Sequence, residues 1–176
     1  RDRQRYSPKS KLEVIMDENE KSDILQKEKS ASRVTINGAM MGSLFFILTL
    51  VWTLGVQKFN GFIIGQLVMA IPLLFVSSLA YAKVSYRAKN KPFDQMGWIT
   101  TTLGNNMILN VSGLMTATFS KPIAIAYFAV SFSVITIYYI INCYSRPEKT
   151  TEDIIKLFIV YFIMMIGGII PLFTMF

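Results

Sequence analysis

Five runs of apolar residues dominate the chain beyond residue 33. Each run is long enough to cross about 30 Å of hydrocarbon as a helix, which takes about 20 residues. Lys156, near the start of the last run, is the only formally charged residue inside them. The pattern predicts an all-α polytopic membrane protein with a bundle of five transmembrane helices over residues 34–56, 61–82, 98–118, 122–142 and 154–175.

Residues 1–33 have a different composition from the rest of the chain. They hold nine of the eighteen Lys and Arg residues and seven of the eleven Asp and Glu residues. Leu12, Ile15 and Met16 fall on one helical face, which is typical of an amphipathic helix. We therefore expect a partly helical cytoplasmic N-terminal segment that is solvated, lies on the membrane surface or contacts another subunit.

The distribution of basic residues predicts the orientation, because positively charged loops stay on the cytoplasmic side. The connection between the second and third runs carries a basic cluster and a single acid, Asp94. We therefore expect a plasma-membrane protein with a cytoplasmic N-terminus and, after five spans, an external C-terminus. The same cluster is a candidate contact for anionic lipid or a cytoplasmic partner: Lys83, Arg87, Lys89 and Lys91.

The third run is unusual because it contains three asparagines. At about 100° per residue, its three asparagines, Gly113 and four of its hydroxyl residues fall on about half of the helix circumference. An unbonded amide that faces lipid is costly, so this face must contact protein or water. In one interpretation it hydrogen-bonds neighbouring helices. In the other it lines a hydrated path or a polar substrate pocket, with these candidate residues: Asn105, Asn106, Asn110, Ser112 and Thr116.

Small residues and prolines in the apolar runs predict close packing and bending. Glycines four residues apart allow helices to approach closely, inside the bundle or between subunits. Pro72 interrupts the second run and is a candidate hinge, with a static kink as the alternative. The candidate packing glycines are Gly38, Gly42, Gly61, Gly65 and Gly113. Asn37 and Gln66 are two further amides in apolar surroundings.

Composition excludes several kinds of chemistry. The chain has no histidine and one cysteine, so a Cys/His zinc site or an internal disulfide cannot form. No catalytic or phosphate-binding motif is present. The net charge of +7 is spread over segments that flank apolar runs, which favours a role in topology over nucleic-acid binding. We therefore expect no enzymatic activity, no cofactor, no metal and no nucleic-acid partner.

Two functional hypotheses follow from these patterns. The first is a channel-like or transporter-like subunit whose polar third helix lines a path or pocket for an ion or uncharged solute. The second is a non-transporting scaffold, or a subunit of a larger membrane complex, that recruits a cytoplasmic protein through its N-terminal segment and basic loop. Both predict contact with membrane lipids and association into a homo-oligomer or with other membrane subunits.

Overall fold

The computed structural model describes residues 11–55, 59–86, 91–145 and 150–175, without the side chains of residues 11–19, Thr150 and Glu152. These residues are helical apart from short connections, and no strand occurs among them. The prediction of an all-α protein is therefore confirmed.

Helix α1 runs without a break from Lys11 to Leu54, so the charged segment and the first apolar run form one helix. Its 44 residues make it about 66 Å long, roughly twice the thickness of the hydrocarbon layer. Gly55 follows the last helical residue, and its φ of 95° is the left-handed conformation that commonly terminates helices.

The next three helices are each longer than the apolar runs that predicted them. They are α2 (Gly61–Tyr86), α3 (Lys91–Phe119) and α4 (Lys121–Ser145). Asn60 caps α2, since its side-chain oxygen accepts a 2.9 Å hydrogen bond from the Phe62 N–H. Only Ser120 separates α3 from α4, so the chain reverses direction within one turn.

The last apolar run is one continuous rod with a wider turn in its middle. It consists of α5 (Thr150–Met164), a π-helical turn (Met165–Ile169) and α6 (Ile170–Met175). In the π-helical turn the Ile170 N–H donates to the Met165 carbonyl, five residues back. Such turns insert one extra residue into a helix and occur often at functional sites.

Four of the helices are long and apolar enough to cross a membrane: α1, α2, α4 and the rod formed by α5 and α6. Helix α3 is not among them, because its polar residues lower its hydropathy. Large apolar side chains such as Phe46, Trp52 and Phe158 lie exposed on the outside of the described bundle. An apolar exterior is typical of a membrane protein.

Helix α3 occupies the centre of the bundle. It contacts α1, α2, α4, α5, the π-helical turn and α6. Its largest contact is with α2, where Gly104 packs against the side chain of Leu74. Buried Val111 and Leu114 connect it to the shared apolar core. A central helix has little outward-facing surface, so its polar groups can contact the neighbouring helices.

The first turns of α3 gather charged residues at one end of the bundle, here called the basic end. Asp94 accepts a 3.2 Å hydrogen bond from Arg33, whose guanidinium also lies 4.8 Å from the ring centre of Tyr81. Lys83 Nζ lies 4.7 Å from the ring centre of Phe93. At the opposite end, Lys121 Nζ lies 5.2 Å from the ring centre of Phe173.

Candidate functional site

Near the basic end, three polar side chains join α1, α2 and α3; we call them the Asn37 cluster (Asn37, Ser77 and Thr101). Asn37 Nδ2 donates to Ser77 Oγ at 2.9 Å and to Thr101 Oγ1 at 3.4 Å. The Ser77 hydroxyl donates to the Gly97 carbonyl at 2.9 Å and is also hydrogen-bonded to the Thr101 hydroxyl. Among the described residues, none of the buried side-chain oxygens without a partner belongs to this cluster.

A second polar group lies beside the π-helical turn, and Pro171 explains its first hydrogen bond. Proline has no N–H, so the carbonyl four residues earlier, on Gly167, loses its helical donor. Gln66 of α2 supplies the replacement, since its Nε2 donates to the Gly167 carbonyl at 2.9 Å. The bond links α2 to the last helix through a backbone acceptor that the proline has freed.

Asn110 of α3 packs against the same turn. Its Nδ2 donates to the Ile163 carbonyl at 3.4 Å, a long contact. A Cβ atom on Gly168 would lie 2.7 Å from Asn110 Oδ1, and one on Gly167 would collide with Asn110 Nδ2. The two glycines therefore leave the space that the amide fills. We call Gln66, Asn106, Asn110 and the Gly167–Gly168 backbone the Asn110 cluster.

The asparagines of α3 leave three acceptors unused. Among the described residues, the buried side-chain atoms without a hydrogen-bond partner are the Oδ1 atoms of Asn105, Asn106 and Asn110. Asn106 is 4% exposed and Asn110 is 1% exposed. The Nδ2 group of Asn106 donates to the Thr102 carbonyl of its own helix at 2.8 Å, which does not use its oxygen.

Asn106 and Asn110 belong to one face of α3, and Asn105 lies beside it. Residues one turn apart are separated by about 40° around a helix, and consecutive residues by about 100°. The oxygens of Asn106 and Asn110 therefore share a face with Gly113. The oxygen of Asn105 is displaced around the helix toward Ser112 and Thr116. Ser112 and Thr116 donate to carbonyls of their own helix at 2.9 and 2.8 Å, so their hydroxyl protons are already used.

The predicted packing glycines fall into two groups. A Cβ atom on Gly113 would collide with the ring of buried Phe128, so this glycine allows α4 to approach α3 closely. No atom lies within 4 Å of the Cβ positions of the other four: Gly38, Gly42, Gly61 and Gly65. In the part of the chain that the structure describes, these four glycines therefore show no close contact at the Cβ position, and their role in helix packing stays a prediction.

The remaining predicted residues lie outside the polar clusters. Pro72 is exposed in the interior of α2, and the helix continues across it to Tyr86. Its role as a hinge stays a prediction. Lys83 and Lys91 are exposed at the basic end, whereas Arg87 and Lys89 lie outside the described residues.

Three groups that contact the buried amides had no assigned role in the sequence interpretation: Ser77, the Gly167 carbonyl and the Gly168 backbone. Pro171 could have indicated the free Gly167 carbonyl from the sequence, since a proline releases the carbonyl four residues before it. The identity of its donor, Gln66, requires the arrangement of helices 101 residues apart in sequence.

The Asn110 cluster is suited to binding without proton transfer. Amide oxygens accept hydrogen bonds and also coordinate cations. The cluster contains no ionisable side chain, and no group of three or more His, Cys, Asp or Glu occurs among the described residues.

Comparisons with protein-family models, curated proteins and solved structures find no match to this chain.

Proposed function

We propose that this chain is a channel-like or transporter-like membrane protein whose central helix α3 binds an ion or an uncharged solute. The observation that carries the proposal is the set of three buried amide oxygens without donors, on Asn105, Asn106 and Asn110. Buried polar groups are normally hydrogen-bonded, and each unsatisfied one destabilises a protein by about 1–3 kcal/mol. A bound cation or a ligand with N–H or O–H groups would satisfy them.

The proposal places all five apolar helices across the membrane. Helix α3 has 29 residues, a length of about 43 Å, so it is long enough to span. Its low hydropathy is compatible with spanning because its neighbours separate it from lipid. The cations of the basic end support a cytoplasmic N-terminus and an external C-terminus in the plasma membrane.

The absence of carboxylates from the Asn110 cluster limits the kinds of ligand that it could bind. Moving a divalent cation into the bundle without a counter-charge would be expensive. Amide and carbonyl oxygens can instead replace the hydration shell of a monovalent cation, as backbone carbonyls do in selective channels. We propose a monovalent cation or an uncharged hydrogen-bond donor as the ligand, and binding or conduction rather than catalysis.

Cysteine accessibility in membranes tests whether water reaches the amide face. In a Cys143→Ser background, single cysteines at 105, 106, 110, 112 and 116 are treated with a small water-soluble thiol reagent. We expect labelling at these positions and none at 107, 111 and 114, which lie on the apolar face. A complete absence of labelling would mean that the amides serve only to hold the helices together.

Flux through liposomes tests transport directly. We expect Asn106→Leu and Asn110→Leu to abolish the uptake of a monovalent cation or a small polyol while the protein stays folded. Ser133→Ala is the matched control, because Ser133 is exposed on α4 and donates only to its own helix. If uptake by the native protein never exceeds that of empty liposomes for any solute tested, the transport proposal fails.

Helix α1 favours the scaffold as a second candidate function. About 36 Å of its length exceeds the hydrocarbon thickness, and Ile24 and Leu25 are exposed on that extension. This arrangement suits recruitment of a cytoplasmic protein partner. Ile24→Ser with Leu25→Ser should remove such a partner from crosslinked membranes, whereas Ser32→Ala should not. Identical crosslinked products from all three forms would exclude this candidate.

A further inference from the structure

An apolar groove lies at the basic end, between the last turns of α2 and the first turns of α3. Its volume is about 540 Å³, which lies within the range of small-molecule sites in proteins. Val76, Leu79 and Ala80 line it from α2, and Phe93 and Met96 line it from α3. The groove is open to the surface, where Leu79 and Met96 are exposed.

One cation stands at the edge of this groove. Lys83 is a lining residue, and its ammonium lies over the ring of Phe93 at 4.7 Å from the ring centre. Such a contact holds the charge at the groove while the lysine stem covers apolar surface. Lys91, at the start of α3, is exposed at the same end of the bundle.

No acid neutralises this cation in the described part of the chain. Asp94 is the only acidic residue between Glu28 and Glu148. Its carboxylate is bound to Arg33 at 3.2 Å, so its charge is already shared. The segment from Lys83 to Lys91 therefore contributes four positive charges and no negative one.

We propose that the groove binds one anionic phospholipid, with an acyl chain between Leu79, Phe93 and Met96 and the phosphate beside Lys83. An apolar groove that opens toward lipid fits an acyl chain better than it fits a soluble metabolite. Basic pockets between membrane helices on the cytoplasmic side favour anionic headgroups. The inference rests on the membrane insertion proposed above and is independent of ligand binding at α3.

Lipid retention measured by native mass spectrometry tests this site. The full chain is reconstituted in nanodiscs of phosphatidylglycerol and phosphatidylcholine in equal amounts, then released into detergent. We expect the native protein to retain phosphatidylglycerol in at least about fivefold excess over phosphatidylcholine. Lys83→Gln should lower this preference about fivefold, and Lys83→Arg should preserve it.

Two further variants distinguish lipid binding in this groove from a general attraction between basic residues and anionic lipid. Lys121→Gln removes a cation that lies over the Phe173 ring at the opposite end, so it should leave lipid retention unchanged. Ala82→Phe narrows the groove and should lower the retention of lipid with no change in charge. An equal loss of preference in Lys83→Gln and Lys121→Gln would overturn the proposal.

A soluble headgroup distinguishes phospholipid from phosphate alone. Glycerol phosphate at millimolar concentration should leave lipid retention unchanged, because it lacks the acyl chain. Its displacement of the lipid would show that the headgroup alone determines binding and would contradict an acyl-chain site. Asn106→Leu should not alter lipid retention, so this inference and the proposed transport function can fail separately.

Discussion

The Asn37 cluster and the Asn110 cluster both place buried amides between helices, yet their hydrogen-bond partners differ. In the first, hydroxyls of Ser77 and Thr101 lie within hydrogen-bond distance of the asparagine and of each other. In the second, the amides donate to the Gly167, Ile163 and Thr102 carbonyls, and Asn106 and Asn110 keep unused acceptors. Hydroxyls can both donate and accept, whereas backbone carbonyls can only accept. The Asn110 cluster contains no hydroxyl that could donate to its amide oxygens, and this difference is the reason that we propose ligand binding there and a structural contact at the Asn37 cluster.

The largest expected effect comes from filling the space beside Asn110. Gly168→Ala would place a Cβ atom 2.6 Å from the ring of Phe128 and 2.7 Å from Asn110 Oδ1. Overpacking of this kind destabilises by about 1–3 kcal/mol, and we expect the upper part of that range because Phe128 is buried. The free energy of unfolding is measured by denaturant titration in detergent.

Gly38→Ala is the matched control for this substitution. Nothing lies within 4 Å of its Cβ position, so replacing a helical glycine should stabilise by up to about 1 kcal/mol. Equal effects of the two alanines would show that the Asn110 cluster is not tightly packed.

A direct contrast between the two clusters comes from Asn37→Leu and Asn106→Leu. The first removes the donor that serves Ser77 and Thr101, and should destabilise by about 2 kcal/mol. The second removes an acceptor that has no partner and a donor that serves only the Thr102 carbonyl of its own helix, so stability should stay nearly unchanged or rise. Unfolding in the same detergent provides both values, and a loss of equal size in both variants would contradict the distinction between the clusters.

The role of Pro171 predicts a coupled effect of intermediate size. Gln66→Leu leaves the Gly167 carbonyl without a donor and should destabilise by about 1 kcal/mol. In a Pro171→Ala background the new N–H of residue 171 can serve that carbonyl, so Gln66→Leu should then have little effect. The double-mutant cycle measures this coupling, and additive effects would show that the proline does not release the carbonyl.

The smallest expected effect concerns the ion pair of the basic end. Arg33 and Asp94 are 44% and 42% exposed, so their pairing is screened by solvent. Arg33→Gln should destabilise by no more than about 0.5 kcal/mol, and the effect should disappear at high salt. A larger, salt-independent loss would instead assign the contribution of Arg33 to its contact with Tyr81.

The apolar runs predicted the all-helical fold because their length and the positions of the charges are properties of the sequence alone, whereas five membrane spans stay a prediction. The inward polar face of α3 was also predictable, since amides cannot face lipid. The pairing of those amides was not. Ser77 is a single hydroxyl in an apolar run, and only the packing of α2 on α3 brings it to Thr101 and Asn37. Gly38 and Gly42 show the converse, because four-residue spacing indicates the capacity for close packing but does not identify the partner.

The π-helical turn of the last helix is synthesised long after the amides that it contacts. Gly167 follows Asn110 by 57 residues in the sequence, which corresponds to about 3–11 s of translation. Until the ribosome adds that turn, the amide groups of Gln66 and Asn110 have no backbone acceptor there. The first four helices are therefore complete while these two amides still lack the carbonyl acceptors that they have in the folded bundle. The final helix supplies those acceptors and completes the interior of the bundle.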